Sequence, residues 1–125
     1  MADKEERQKI KSFTDLIAWQ EAHKLILEVY RATDNFPNKE MFGLTNQMRR
    51  AAVSISSNIA EGFSRSSNAD KVHFYTMSMG SLTELQNQLL ISRDIGYLNK
   101  EIFESIANQS VRVSKLINGL KKINT

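Results

Sequence analysis

At 125 residues, 41% hydrophobic and 25% charged, the chain has the length and composition of one soluble domain with a single buried core. It has no cysteine, which excludes disulfides, thiolate metal sites and a cysteine nucleophile and fits a reducing cytoplasm. The formal charge of +3 is a mild basic bias, far from the charge density of a histone-like arm. The opening MADKEERQKIK is too charged for a signal peptide, and no apolar run reaches the ~18 to 20 residues of a membrane span, so a cytoplasmic location without membrane contact is expected. Five Gly and one Pro among many Leu, Ile, Met, Glu, Lys, Gln and Ala favour long helices over strands.

In chain order, residues 1–12 mix both charges with little apolar content and read as a frayed tail, leaving 13–125 as the domain. A first helix is predicted from Thr14 or Asp15 to about Asp34, with Leu16, Trp19, His23, Ile26 and Tyr30 at helical spacing. Pro37 lies past its end, in a connection from Asn35 to Gly43.

The second helix, about Thr45 to Gly62 or Arg65, carries three faces at ~100° per residue. Leu44, Met48, Ala51, Ala52, Ile55 and Ile59 form an apolar stripe, while Gln47, Arg50, Ser54, Asn58, Glu61 and Arg65 form a polar one. Arg49, Val53, Ser56 and Ala60 lie between them, with small residues that admit a second backbone.

Ser67 with Asp70 marks the start of a third helix, whose Phe74, Leu82, Leu85 and Leu89 are interleaved with Ser78, Ser81 and Ser92. Gly96 ends it. Asn99 can cap a fourth helix that buries Ile102, Phe103, Ile106, Val113, Leu116, Ile117 and Leu120. Four such segments with short connections predict an all-α, antiparallel up-down-up-down four-helix bundle.

Three stretches carry a resemblance to a known family: FTDLIAWQEAHKLILEVY at 13–30, FPNKEMFGLTNQMRRAAVSISSNIAEGFSR at 36–65 and FYTMSMGSLTELQNQLL at 74–90. They resemble the four helix bundle proteins also called ribosomal protein S23 or 23S rRNA intervening-sequence proteins, relatives of the accessory variability determinant of diversity-generating retroelements. The resemblance implies a bundle that assembles into a homopentameric ring, and for the retroelement relatives a basic surface for nucleic acid and a reverse transcriptase partner. Ser56 stands where the family commonly has Pro, which predicts a straighter second helix here.

No residue pattern announces a reaction. His23 and His73 lack a second His at i+3 or i+4, no Glu-x-x-His pair of the di-iron kind occurs, and neither a Gly-x-Ser-x-Gly elbow nor a Gly-rich phosphate loop is present, so a non-enzymatic protein without cofactor or metal is expected. Glu61 and Glu84 are the acids expected to be partly buried. Trp19, Tyr30, Phe74 and Tyr75 could stack on bases, but their spacing reads as core or subunit interface.

The basic candidates for RNA or DNA are Arg49, Arg65, Lys71, Arg112, Lys115, Lys121 and Lys122; from Ser105 to Thr125 there are four cations and no acid. For Lys121 and Lys122 the alternative is complementing a helix C-terminus. Arg50, Asn58 and Glu61 read instead as a polar network that fixes register, within one chain or between copies. Five copies would carry a formal 5 × 3 = +15, enough to turn a modest charge into a field that attracts nucleic acid. The second function expected from the sequence is a scaffold whose ring binds a protein partner such as a reverse transcriptase.

Overall fold

Order begins with local hydrogen bonds in the computed structural model, which describes residues 10–125. The tail expected over 1–12 lies, for its first nine residues, outside the described part. Ser12 and Asp15 form a reciprocal capping box around the 3-10 turn Phe13–Asp15, and Asp15 also accepts from the Lys11 amide at 3.0 Å. These two backbone bonds, Lys11 first, hold the Asp15 carboxyl below its ordinary range. Leu16 is extended, so the first α-helix starts two residues after Asp15 rather than at Thr14 or Asp15.

Four helices follow: α1 Ile17–Thr33, α2 Leu44–Ser64, α3 Asn68–Asp94 and α4 Lys100–Ile123. Consecutive helices pack together, and α1 closes the square against α4, an up-down-up-down bundle with no strand among the described residues. No described helix is long and apolar enough to cross a membrane.

The α2 stripe falls where the spacing puts it, with Met48, Ala51, Ala52, Ile55 and Ile59 buried. The contact between α2 and α3 is the most extensive in the molecule, and small residues make it possible. Ser78 Oγ donates to the Ile55 carbonyl at 2.7 Å, and the hydroxyls of Ser54 and Ser81 share a bond of 2.8 Å. A Cβ on Gly62 would lie 2.6 Å from Cε1 of the buried Tyr75, so glycine is what admits that ring.

The caps also fall where expected: Ser67 Oγ accepts from the Asp70 amide, and Asn99 Oδ1 from that of Ile102. Gly96, at φ +86°, terminates α3 in a Schellman arrangement, its amide reaching Arg93 O and that of Tyr97 reaching Ser92 O.

The phase of α1 differs from the sequence expectation. Its buried side is Ala18, Glu21, Ala22, Leu25, Val29, Ala32 and Thr33, whereas His23 and Tyr30 are exposed and Trp19 and Ile26 only half-buried. Apolar residues extend round much of this helix, and alanines rather than the large rings face the core. Trp19 is wedged at the edge between Phe13, edge-on with centroids 5.5 Å apart, and His23, stacked at 4.9 Å.

Candidate nucleic-acid interface

Helix alternation decides where the cations gather. The N-terminus of α1, the α2–α3 turn and the C-terminus of α4 share one end of the bundle, which brings Arg65, Lys71, Lys115, Lys121 and Lys122 of the candidate set toward that end. Arg112 lies halfway along α4. Arg49 lies toward the opposite end, in the first half of α2.

These side chains are not equally available. Lys71 donates to Phe63 O at 2.8 Å and Gly62 O at 3.3 Å, capping the last carbonyls of α2 while lying over the Phe63 ring. Arg65 pairs with Glu61 at 3.1 Å and covers the Phe74 ring. Lys115, Lys121 and Lys122 make no ion pair among the described residues, and Lys115 and Lys122 are exposed. Lys121 and Lys122 also stand in the last turn of α4, where cations complement the helix dipole.

Arg49 is occupied in holding α2 to the end of α1. It donates to Thr33 Oγ1 and to Asp34 Oδ1, both at 2.9 Å, and stacks over Tyr30. Arg50 beside it is exposed; together with Tyr30, Asn46 and Val53 the two arginines line an open groove of about 650 Å³.

The network expected from Arg50, Asn58 and Glu61 does not form within one chain. Asn58 Nδ2 donates to Ser54 O and Oγ one turn back, Glu61 pairs with Arg65, and Arg50 joins neither. Eleven residues separate Arg50 from Glu61, about 16 Å along a helix, beyond the reach of the two side chains.

Glu61 and Glu84, expected to be partly buried, are both exposed. Among the described residues the buried acid is Glu21, at 7% exposure. Its carboxylate pairs with Lys24 at 2.9 Å and with Arg112 Nε at 2.8 Å, and Gln109 Nε2 donates to its backbone oxygen at 2.9 Å and to Oε1 at 3.3 Å. This cluster sews α1 to α4 and takes Arg112 out of the unpaired set. The signal was present in Glu21 lying between Ala18, Ala22 and Leu25, but only for a helix phased on its small residues.

The Lys24 hydrogen bond, reinforced by Gln109 and by the charges of Lys24 and Arg112, outweighs desolvation and holds the Glu21 carboxyl below its ordinary 4.5. A lowered folded-state pKa gives stability that is present above about pH 4.5 and lost as pH falls through the folded value. Glu21→Gln is therefore expected to melt below wild type at neutral pH, with the gap narrowing as pH drops below about 4.5. Thermal melts across that range check this, and a gap independent of pH would remove the ionised cluster from the account.

Among the described residues, no three or more His, Asp or Glu side chains gather as a metal site. None of the curated proteins is significantly similar to the chain. The crystal structure of a protein of unknown function from the S23 ribosomal protein family of Bacteroides thetaiotaomicron has the same fold, with a TM-score of 0.76 and 23% identity over 85% of this chain and 99% of that one. Residues 14–119, which contain nearly all of the three stretches quoted from the sequence and nearly the whole bundle, match the family model described as 23S rRNA-intervening sequence protein. The four-helix bundle thus belongs to the 23S rRNA-intervening sequence protein family.

Proposed function

We propose that the protein is a non-enzymatic, self-assembling bundle, a homopentamer in its working form, that binds structured RNA or DNA through the end carrying Lys115, Lys121 and Lys122. The observation that supports this most is that these three lysines, without ion-pair partners among the described residues, lie toward the end of the bundle that also carries Arg65 and Lys71. Of the acids near this end, Asp15 is committed to the Lys11 and Ser12 amides and Glu61 to Arg65, while Asp70 stands exposed in the first turn of α3 as an acid the lysines must outnumber. A ring would repeat the patch once per copy, and phosphate contacts from several copies add in the exponent of the salt dependence.

The test is binding of a fluorescent RNA hairpin and a DNA duplex across roughly 50 to 200 mM salt. Lys115→Glu/Lys121→Glu/Lys122→Glu is expected to weaken both at least tenfold and to flatten the log–log salt slope by about 0.9 for each phosphate that is no longer neutralised. Arg112 is left intact because it holds Glu21. Unchanged affinity and slope would exclude this patch.

Exposed Met77, Leu90 and Ile91 on α3 favour a second reading, in which the assembled bundle is a scaffold for a protein partner such as a reverse transcriptase. That reading predicts indifference to both polymers at every salt concentration.

A further inference from the structure

Phe42 is 92% exposed, and Met41 beside it is 56% exposed. An aromatic side chain so fully presented to water is unusual, and it does not sit on a loose loop. The 3-10 turn Asn38–Glu40 precedes the pair, and the Met41 amide donates to Asn38 O at 3.1 Å and that of Gly43 to Glu40 O at 2.9 Å. Glu40 is pinned in turn, its carboxylate accepting from the Leu44 amide at 3.2 Å and from Tyr97 Oη at 2.9 Å. The loop is thus a tied support for a protruding apolar knob.

The same end of the bundle carries a hole. The last two turns of α1 and the first two of α4 enclose an open groove of about 310 Å³ with Ala32, Ile102 and Ile106 as its apolar floor and Glu28, Arg31 and Ser105 on its rim. An apolar cavity of about 150 Å³ accepts a benzene ring, so the groove has room for a phenyl side chain. Ser105 donates to Glu28 at 2.9 Å, which fixes the rim without filling the groove.

Knob and groove belong to different faces, the knob at the start of α2 and the groove between α1 and α4, but both lie near one end of the bundle. Copies related by rotation about an axis along the bundle keep each feature at its own height. A contact between unlike patches at equal height can close such a set of copies into a ring.

We propose that Phe42, with Met41, seats in the Ala32–Ile102–Ile106 groove of a second copy of this chain. The contact is heterologous, each copy giving a knob on one side and a groove on the other. It rests on the self-assembly proposed above and specifies which residues carry it.

Mass by light scattering, with helicity and melting measured alongside, tests the assignment on wild type, Phe42→Ser, Ser105→Trp and the control Ile17→Ser, an exposed apolar side chain at the other end. Wild type and the control are expected to be multi-copy. Phe42→Ser, which removes the knob, and Ser105→Trp, which fills the groove, are expected to be helical monomers. Both altered side chains are exposed in the single chain, so neither change disturbs its core.

A Phe42→Ser protein with wild-type mass would overturn the knob while leaving self-assembly standing. A monomeric Phe42→Ser beside a multi-copy Ser105→Trp would overturn the groove as its seat. A monomeric wild type would overturn self-assembly and this contact together.

Discussion

Truncating Ile55 to alanine is expected to cost about 2–5 kcal/mol, the loss of a buried branched side chain together with the cavity it leaves. Ile55 is fully buried in the middle of α2, and its carbonyl accepts the Ser78 hydroxyl, so the backbone there is held against α3 and cannot readily close the space. For a domain of this size each kcal/mol lowers the melting temperature by roughly 3–6 °C, so a fall of roughly 6–30 °C should appear in a thermal melt. Val53→Ala, two residues earlier and 40% exposed, is the matched control and should stay within about 0.5 kcal/mol of wild type. The comparison needs one protein concentration throughout, because assembly adds to apparent stability by mass action. Equal melting of the two variants would contradict the α2 stripe as the centre of the core.

Gly62→Val should be damaging for the opposite reason, excess volume. The first added carbon already meets the Tyr75 ring at 2.6 and 2.9 Å and Phe74 Cβ at 3.2 Å, and Tyr75 is 2% exposed with little space to retreat. Overpacking of this kind costs about 1–3 kcal/mol, and the extra branches of valine place it at or beyond the upper end. Gly62→Ala gains roughly 1 kcal/mol of helix propensity over glycine yet keeps the clash, so it should still melt below wild type, by less than valine. Tyr75→Leu gives the decisive combination. If the ring is the obstacle, Gly62→Ala costs less in the Tyr75→Leu background than alone, a coupling read from a double-mutant cycle. An alanine variant at least as stable as wild type would show that α3 can move aside without penalty.

Sequence spacing locates α2 and the side-chain caps of α3 and α4 because there local preference and tertiary packing agree: the apolar stripe is narrow, and Ser67 and Asn99 stand directly before helical runs. It misplaces the face of α1 because that helix carries apolar residues nearly all round, and size rather than hydrophobicity decides which side enters a close contact. Ala18, Ala22 and Ala32 go inward while Trp19 stays at the edge and Tyr30 lies outside. The same error of phase hides Glu21 and so leaves Arg112 among the unpaired cations, although it is tied to α1. For α3, Leu82, Leu85 and Leu89 are buried with Ser78 and Ser92 as their spacing predicts, but nothing in the sequence marks Met77, Leu90 and Ile91 as exposed, because an apolar pattern does not distinguish a surface facing its own bundle from one left open. Phe42 is invisible as a knob from sequence, since FGL reads equally well as a buried entry to a helix. The basic end is legible residue by residue but not as a place, because only the alternation of helices brings Arg65 and Lys71 to the end where α4 finishes.

Trp19 is the only tryptophan in the chain, and it sits between a ring of the capped 3-10 turn and the imidazole of His23, at the end where the lysines collect. Its emission is therefore an unlabelled optical probe of that end alone. A polymer settling over the lysines would change the solvent around a half-buried indole, whereas a partner seated in the α1–α4 groove at the far end would leave the spectrum untouched. Loosening of the Phe13–Asp15 turn would register as a red shift while the far-ultraviolet signal of the four helices stayed constant, so local fraying and global unfolding can be followed separately in one cuvette.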